Sequence, residues 1–400
     1  MNAARFRIFL FLSLVMPALG ARAATADVSA DSSIEQRLKA LEQQVQSLVD
    51  ENRQLRKELG HPAPAVASIV QPGGKETKLV IGGFLQAQAE FGSAADPRWS
   101  GVRDRFFFRR ARIYLAGNLD DFDFKAEIDL QGNTLGAGTG QLTRANEIFV
   151  NWHKYTFANL RFGQLKPAFG SEALSSDGKT HTIERSLSSD RLTDPRQLSV
   201  AAAGEMFDKK LSYYAVVANG DGSNVSANDN SKFQKSARVA WTPFSGAGDQ
   251  LVLGVDGLWT TDAGVTKTDF GLPGNLFTGK REMWGVDAQW THGPLDVGGE
   301  LLHGTFRPAN ALPFARFEAE GWQATAAYFL VSAKLQAVIR HEEFDPNTAV
   351  GGNTIRMNTI GLNYFLKGDD LKLMVDYLNG SVPGSTNDGG RFLTRLQIVY

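Results

Sequence analysis

Hydrophobic positions along the chain change period once. Ile34, Leu38, Leu41, Val45, Leu48, Leu55 and Leu59, with Asn52 in the remaining slot, are spaced alternately by four and three. This is the seam of a coiled coil, and the Glu, Gln, Lys and Arg between its members give it a polar outer face. Gly60, Pro62 and Pro64 end the helix. A solitary helix packed on its own domain is the alternative, but nearly four unbroken heptads favour self-association. An Asn at an a position fixes register and parallel alignment at some cost in stability. The spacing therefore predicts a coiled coil over 30–60, and the Pro, Ala and Gly that follow predict a linker over 61–78.

From Leu79 the period is two. In 122–131, Phe122, Phe124, Ala126, Ile128 and Leu130 share one face, and Asp123, Lys125, Glu127, Asp129 and Gln131 the other. Such a strand suits a soluble sandwich with its apolar face in the core, or a membrane barrel with that face in lipid. Spacing favours the barrel. Sixteen such segments follow one another, near 79–92, 105–119, 121–132, 143–155, 158–168, 196–207, 209–219, 233–243, 250–261, 281–292, 295–307, 317–330, 333–345, 354–367, 370–380 and 391–400. Brief connections such as 119–121, 207–210, 292–294 and 367–370 alternate with long ones such as 169–195, 220–232, 262–280 and 381–390. Short turns on one side and long loops on the other mark an outer-membrane barrel. An even strand count returns both ends to the periplasmic side. The break near 330–333 is the weakest boundary, since neither Gly nor Pro marks it.

The first residues add a destination. Arg5 and Arg7 precede an apolar run over 8–19, and Ala21-Arg22-Ala23 supplies a small-x-small cleavage site, so 1–23 reads as a secretory signal peptide. Removing three Arg leaves 39 basic residues against 43 acidic ones, which gives no reason to expect nucleic acid as a partner. The chain has no Cys, as suits export into an oxidising periplasm. Beyond the first twenty residues no apolar run is long enough for a transmembrane helix. In the last strand Phe392, Leu396, Ile398 and Tyr400 share one face, a pattern that resembles the assembly signal of outer-membrane barrels. The expected architecture is all-β: a 16-stranded antiparallel transmembrane barrel over 79–400, preceded by an N-terminal coiled-coil helix in the periplasm.

Several stretches resemble one family, the phosphate-selective porins O and P. They are Phe108-Arg109-Arg110-Ala111-Arg112-Ile113-Tyr114-Leu115-Ala116-Gly117, Phe162-Gly163-Gln164-Leu165-Lys166-Pro167-Ala168-Phe169-Gly170, Thr182-Ile183-Glu184-Arg185-Ser186-Leu187, and Gly361-Leu362-Asn363-Tyr364-Phe365-Leu366 with 371–377. The resemblance implies a trimeric 16-stranded barrel whose third long loop, about 169–196, folds inward to a basic constriction that passes phosphate and other small anions. By motif position, Lys179 is the candidate constriction residue. The loop is not enriched in Lys, however. Lys179, His181, Arg185, Arg191 and Arg196 nearly balance Glu172, Asp177, Glu184, Asp190 and Asp194.

Strand parity supplies further candidates. Arg110 and Arg112 share the face of Tyr114 and Asn118, and Lys125, Arg161, Arg238, Arg340 and Arg395 point inward by the same reasoning, because a charge facing lipid near the midplane costs several kcal/mol. Arg109 is out of phase, which predicts a bulge or a position at the rim. Arg and Lys rings favour anions by replacing part of their hydration shell, so the candidate anion pathway is Arg110, Arg112, Lys125, Arg161, Lys179, Arg185, Arg238, Arg340 and Arg395. Asp123, Glu127 and Asp129 would neutralise part of this set, and Arg185 and Glu184 have the alternative task of pinning the loop to the wall. Trp99, Trp152, Trp241, Trp259, Trp284, Trp290 and Trp322 are expected in the interfacial belts.

The six His have no metal-ligand spacing, and no nucleophile elbow, P-loop or dinucleotide fingerprint is present. The expectation is a non-enzymatic diffusion channel without cofactor or metal, partnered by small anions, outer-membrane lipid and further copies of itself. A general unselective porin is the alternative, as is a tether in which the coiled coil contacts the cell wall.

Overall fold

Strands in lipid must satisfy every backbone N–H and C=O among themselves, which an open sheet cannot do. In a computed structural model, which describes residues 66–70, 76–131, 143–310, 315–381, 383 and 389–400, the sheet meets that demand by closing. The expected signal peptide and coiled coil lie outside the described residues. The wall runs through β2 (Glu76–Gly92), β3 (Arg105–Leu119), β4 (Phe122–Asp129), β5 (Arg144–Tyr155), β6 (Ala158–Leu165), β7 (Gln197–Met206), β8 (Leu211–Ala218) and β9 (Gln234–Gly246). It continues through β10 (Asp249–Thr266), β11 (Leu276–His292), β12 (Leu295–Pro308), β13 (Phe317–Val331), β14 (Leu335–Asp345), β15 (Ile355–Lys367), β16 (Leu371–Gly380) and β17 (Gly389–Val399). Neighbours in this order pair antiparallel, and β17 returns to β2 with Leu396 opposite Ala87. The wall is thus a closed 16-stranded antiparallel barrel.

One further strand precedes it. β1 (Val66–Val70), within the stretch expected as linker, forms a hairpin with the start of β2, Val66 opposite Val80. At the seam, Gly83 and Tyr400 exchange backbone hydrogen bonds of 2.7 and 3.1 Å. The Tyr400 ring lies directly over Gly83, where any side chain would collide with it.

Alternation sorts the side chains as expected over most of the wall. Ile113, Leu115, Phe122, Ile128, Ile148, Val150, Phe162 and Val200 are exposed on the outside, forming an apolar belt. In β3 the register slips between Gln86 opposite Arg110 and Ala87 opposite Phe108, so Arg109 is an extra residue in a bulge. The bulge turns both Arg109 and Arg110 inward. At the uncertain break, Ala333 takes a left-handed conformation with φ of 55°, so an alanine makes the turn between β13 and β14.

More than one loop folds into the lumen, and the segment 267–275 is among them, with Phe270 and Leu272 buried against Phe306, Phe317 and Phe344. The segment 166–196 carries the short helices α1 (Ser171–Leu174) and α2 (Leu187–Leu192). Its Phe169, Leu187 and Leu192 pack on Leu258, Leu302, Phe306, Phe317 and Phe344 of the inner wall. The segment 93–104 also enters, and its Ala95, Trp99 and Val102 join Ile183, Met357, Met374, Leu378 and Leu393. Trp99 is therefore not a belt residue. It is wholly buried inside the barrel, and its indole N–H donates to Glu90 Oε2 at 2.9 Å. These apolar clusters fill part of the lumen beside β10–β17.

Candidate functional site

A chain segment crossing a wet lumen needs anchors, and this loop has one ionic anchor after another. Glu184 accepts from Arg109 Nε at 2.9 Å and Nη2 at 3.0 Å, and from Arg395 Nη2 at 2.6 Å. Asp177 holds Arg112 Nη1 at 2.7 Å, Arg110 Nε at 3.2 Å and Arg185 Nη1 at 2.6 Å. Asp194 holds Arg281 and Lys267, each at 2.8 Å. The first loop adds Arg98, which bridges its own Asp96 at 2.6 Å to Asp190 at 2.8 Å. Burial raises the pKa of Glu184 and of Asp177, but the facing guanidiniums outweigh it and hold both well below the usual carboxylate range. The same balance, set by Arg281 and Lys267, depresses Asp194.

Most of the residues expected to meet solute therefore brace the loop or the wall. Arg110, Arg112, Arg185 and Arg395 are buried in the pairs just described. Arg340 donates to Thr182 Oγ1 at 2.7 Å and pairs with Glu172 at 3.3 Å and Glu342 at 2.8 Å. Arg238 spans Asp256 at 2.7 Å and Asp287 at 2.6 Å. Lys125 lies 2.8 Å from Glu127 and 3.1 Å from Glu147. Arg161 stacks over the Phe149 ring at 4.6 Å.

Three cavities show where solute can go. The first, ≈ 500 Å³, lies between β2–β8 and the loop, and Arg112, Lys125, Arg161, Lys166 and Arg196 line it against Glu127, Glu147 and Asp177. The second, ≈ 520 Å³, shares Arg161, Ala203 and Tyr214 with the first and includes Thr156 and Ser212 beside the short turns. The two cavities adjoin along one wall, and the first carries most of the basic side chains. The third, ≈ 370 Å³, lies across the loop against β11–β13. Lys179 is there, among Glu172, Asp287, Asp296 and Glu300, rather than on the basic side.

Lys166 and Arg196 are the residues that the sequence did not single out. Lys166 Nζ donates to the carbonyls of Ala173 at 2.5 Å and Ser175 at 3.0 Å. Burial, followed by repulsion from Arg196 and Arg185, pushes its pKa down to about 7. The available signal was Lys166-Pro167 within the quoted motif, but the carbonyls around it exist only once the loop has folded. Among the described residues, no group of three His, Cys, Asp or Glu is placed to hold a metal.

A closed barrel with an apolar belt, a wet eccentric lumen and an infolded third loop defines an outer-membrane porin. The family model for phosphate-selective porin O and P matches residues 85–400, and the chain belongs to that family. No curated relative matches the sequence at a significant level. Among solved structures, the outer-membrane channel DcaP of Acinetobacter baumannii superposes with a TM-score of 0.56 at 13% identity, over 84% of this chain and 100% of that one. The anion-selective porin from Comamonas acidovorans gives 0.55 at 12%, over 81% and 100%. Pseudomonas putida OprB gives 0.56 at 10%, over 81% and 94%. These identities speak to fold alone.

Proposed function

We propose that this porin passes small hydrophilic anions across the outer membrane by passive diffusion, with phosphate the leading solute, and that it works as a homotrimer. One observation carries the reading: the path along β2–β8 has five basic side chains against three acidic ones in its first cavity. Guanidinium and ammonium groups that face a cavity replace part of an anion's hydration shell. Several weak sites in sequence allow entry and release.

Bilayer electrophysiology tests this. A salt gradient is expected to give a reversal potential on the chloride side, and millimolar phosphate is expected to reduce the chloride current. Cation preference would overturn the anion reading, and an unaltered current would overturn phosphate preference. A weakly selective channel is the second reading, favoured by the acidic lining of the third cavity.

A further inference from the structure

The first cavity is lined by rings as well as by charge. Phe84, Tyr114 and Tyr214 border it, with Leu174 and Val399 beside them. Tyr214 and its neighbour Phe149 pack on the buried cluster of Leu165, Ala201 and Val216, whereas Phe84 and Tyr114 join none of the buried apolar clusters among the described residues. Both are half-buried, so each keeps a wetted edge in the cavity. The wall makes room for Tyr114. The hydroxyl end of its ring lies over Gly82, directly opposite across β2–β3, where any side chain would collide with it.

Rings and cations alternate along the inner face of these strands. Arg112 stands over Phe84 at 5.7 Å, Lys125 over Tyr114 at 5.3 Å and Arg161 over Phe149 at 4.6 Å. Phe149 lies opposite Lys125 across β4–β5, so the row from Tyr114 to Arg161 is contiguous. Arg112 is paired with Asp129 and Asp177, and Lys125 with Glu127 and Glu147. Arg161 makes no hydrogen bond and no ion pair among the described residues, only the stack on Phe149. A guanidinium stacked by its face keeps the edge of its fork open.

We infer that the first cavity takes carboxylates whose body is a flat aromatic ring, benzoate being the simplest. The inference rests on the anion reading of this cavity, but not on phosphate as its solute. The carboxylate occupies the open fork of Arg161 through two parallel hydrogen bonds. The ring lies along the row toward Tyr114, packed edge-on or offset as aromatic pairs prefer. A small inorganic anion uses the guanidinium alone and leaves the wetted rings facing water, whereas an aryl carboxylate removes them from it. A volume of ≈ 500 Å³ holds one such molecule with water beside it, so binding here does not stop the solute from leaving.

The test uses the full chain in planar bilayers and records chloride current while sodium benzoate, cyclohexanecarboxylate or acetate is added. Benzoate is expected to reduce the current saturably, with a half-blocking concentration about tenfold below that of acetate and clearly below that of cyclohexanecarboxylate. Tyr114→Leu should raise the benzoate value about fivefold relative to acetate, and Tyr114→Phe should keep it. Arg161→Gln should weaken block by all three, because each presents the same carboxylate. In the unaltered protein, equal block by benzoate and acetate, or by benzoate and cyclohexanecarboxylate, with chloride preference intact would overturn the aryl site alone. So would an equal shift for benzoate and acetate in Tyr114→Leu, which would mean that the ring only steadies Lys125. A reversal potential showing cation preference would instead overturn the anion reading on which the site rests.

Discussion

Lys166 places a single proton on the lining of the first cavity. Its pKa of about 7, against an ordinary 10.5, means that the folded chain binds fewer protons than the unfolded chain between those values. The penalty for burying the charge is therefore fully present below pH 7 and gone above the ordinary value. The channel's charge moves with it. Chloride preference, read as reversal potential, is expected to increase as pH falls from 8 to 6, and Lys166→Gln should flatten that dependence. Arg109 shows what a sequence can disclose at this scale, because one residue out of phase announced the bulge. Lys166 shows what it cannot, since its partners lie in a helix seven residues on whose path is set by the loop's long-range ion pairs.

Among the elements, the infolded loop depends on its acids more than on any regular structure. Removing one partner of a buried ion pair leaves the other charge stranded, at roughly 3–5 kcal/mol. Glu184→Gln strands both Arg109 and Arg395, so the loop should open to protease within 171–192 and the single-channel current should become noisier. The acids among the loop charges visible in the sequence are one half of this clamp, and Arg109, Arg110, Arg112, Arg281 and Arg395 of the wall are the other. Parity was legible wherever the lumen is wet, as in β4. It misleads in the outer half of β15, where Ile355 and Met357 are buried inward while Arg356 and Asn358 face out. Apolar loops fill the lumen there, and no local pattern reports what a distant segment will cover.

For the molecule as a whole, sixteen strands were legible because every turn of the wall repeats the same demand on alternate residues. The count survived even at the β13–β14 turn, where Ala333 does what Gly usually does. The seam is where that repetition has to meet itself. Gly83→Val would push the Tyr400 ring off the wall, an overpacking worth about 1–3 kcal/mol. The folded barrel is then expected to convert to its unfolded gel form at a lower temperature, with conductance per channel preserved.

The bulge at Arg109 has a consequence in the currency of genes. Deleting that one codon would restore strict alternation to β3 and leave a tidier strand. It would also take from Glu184 a guanidinium that binds it through two nitrogens. A single in-frame step can therefore loosen the loop's hold on the wall, which Arg395 and the pairs at Asp177 and Asp194 still maintain, without altering the loop itself.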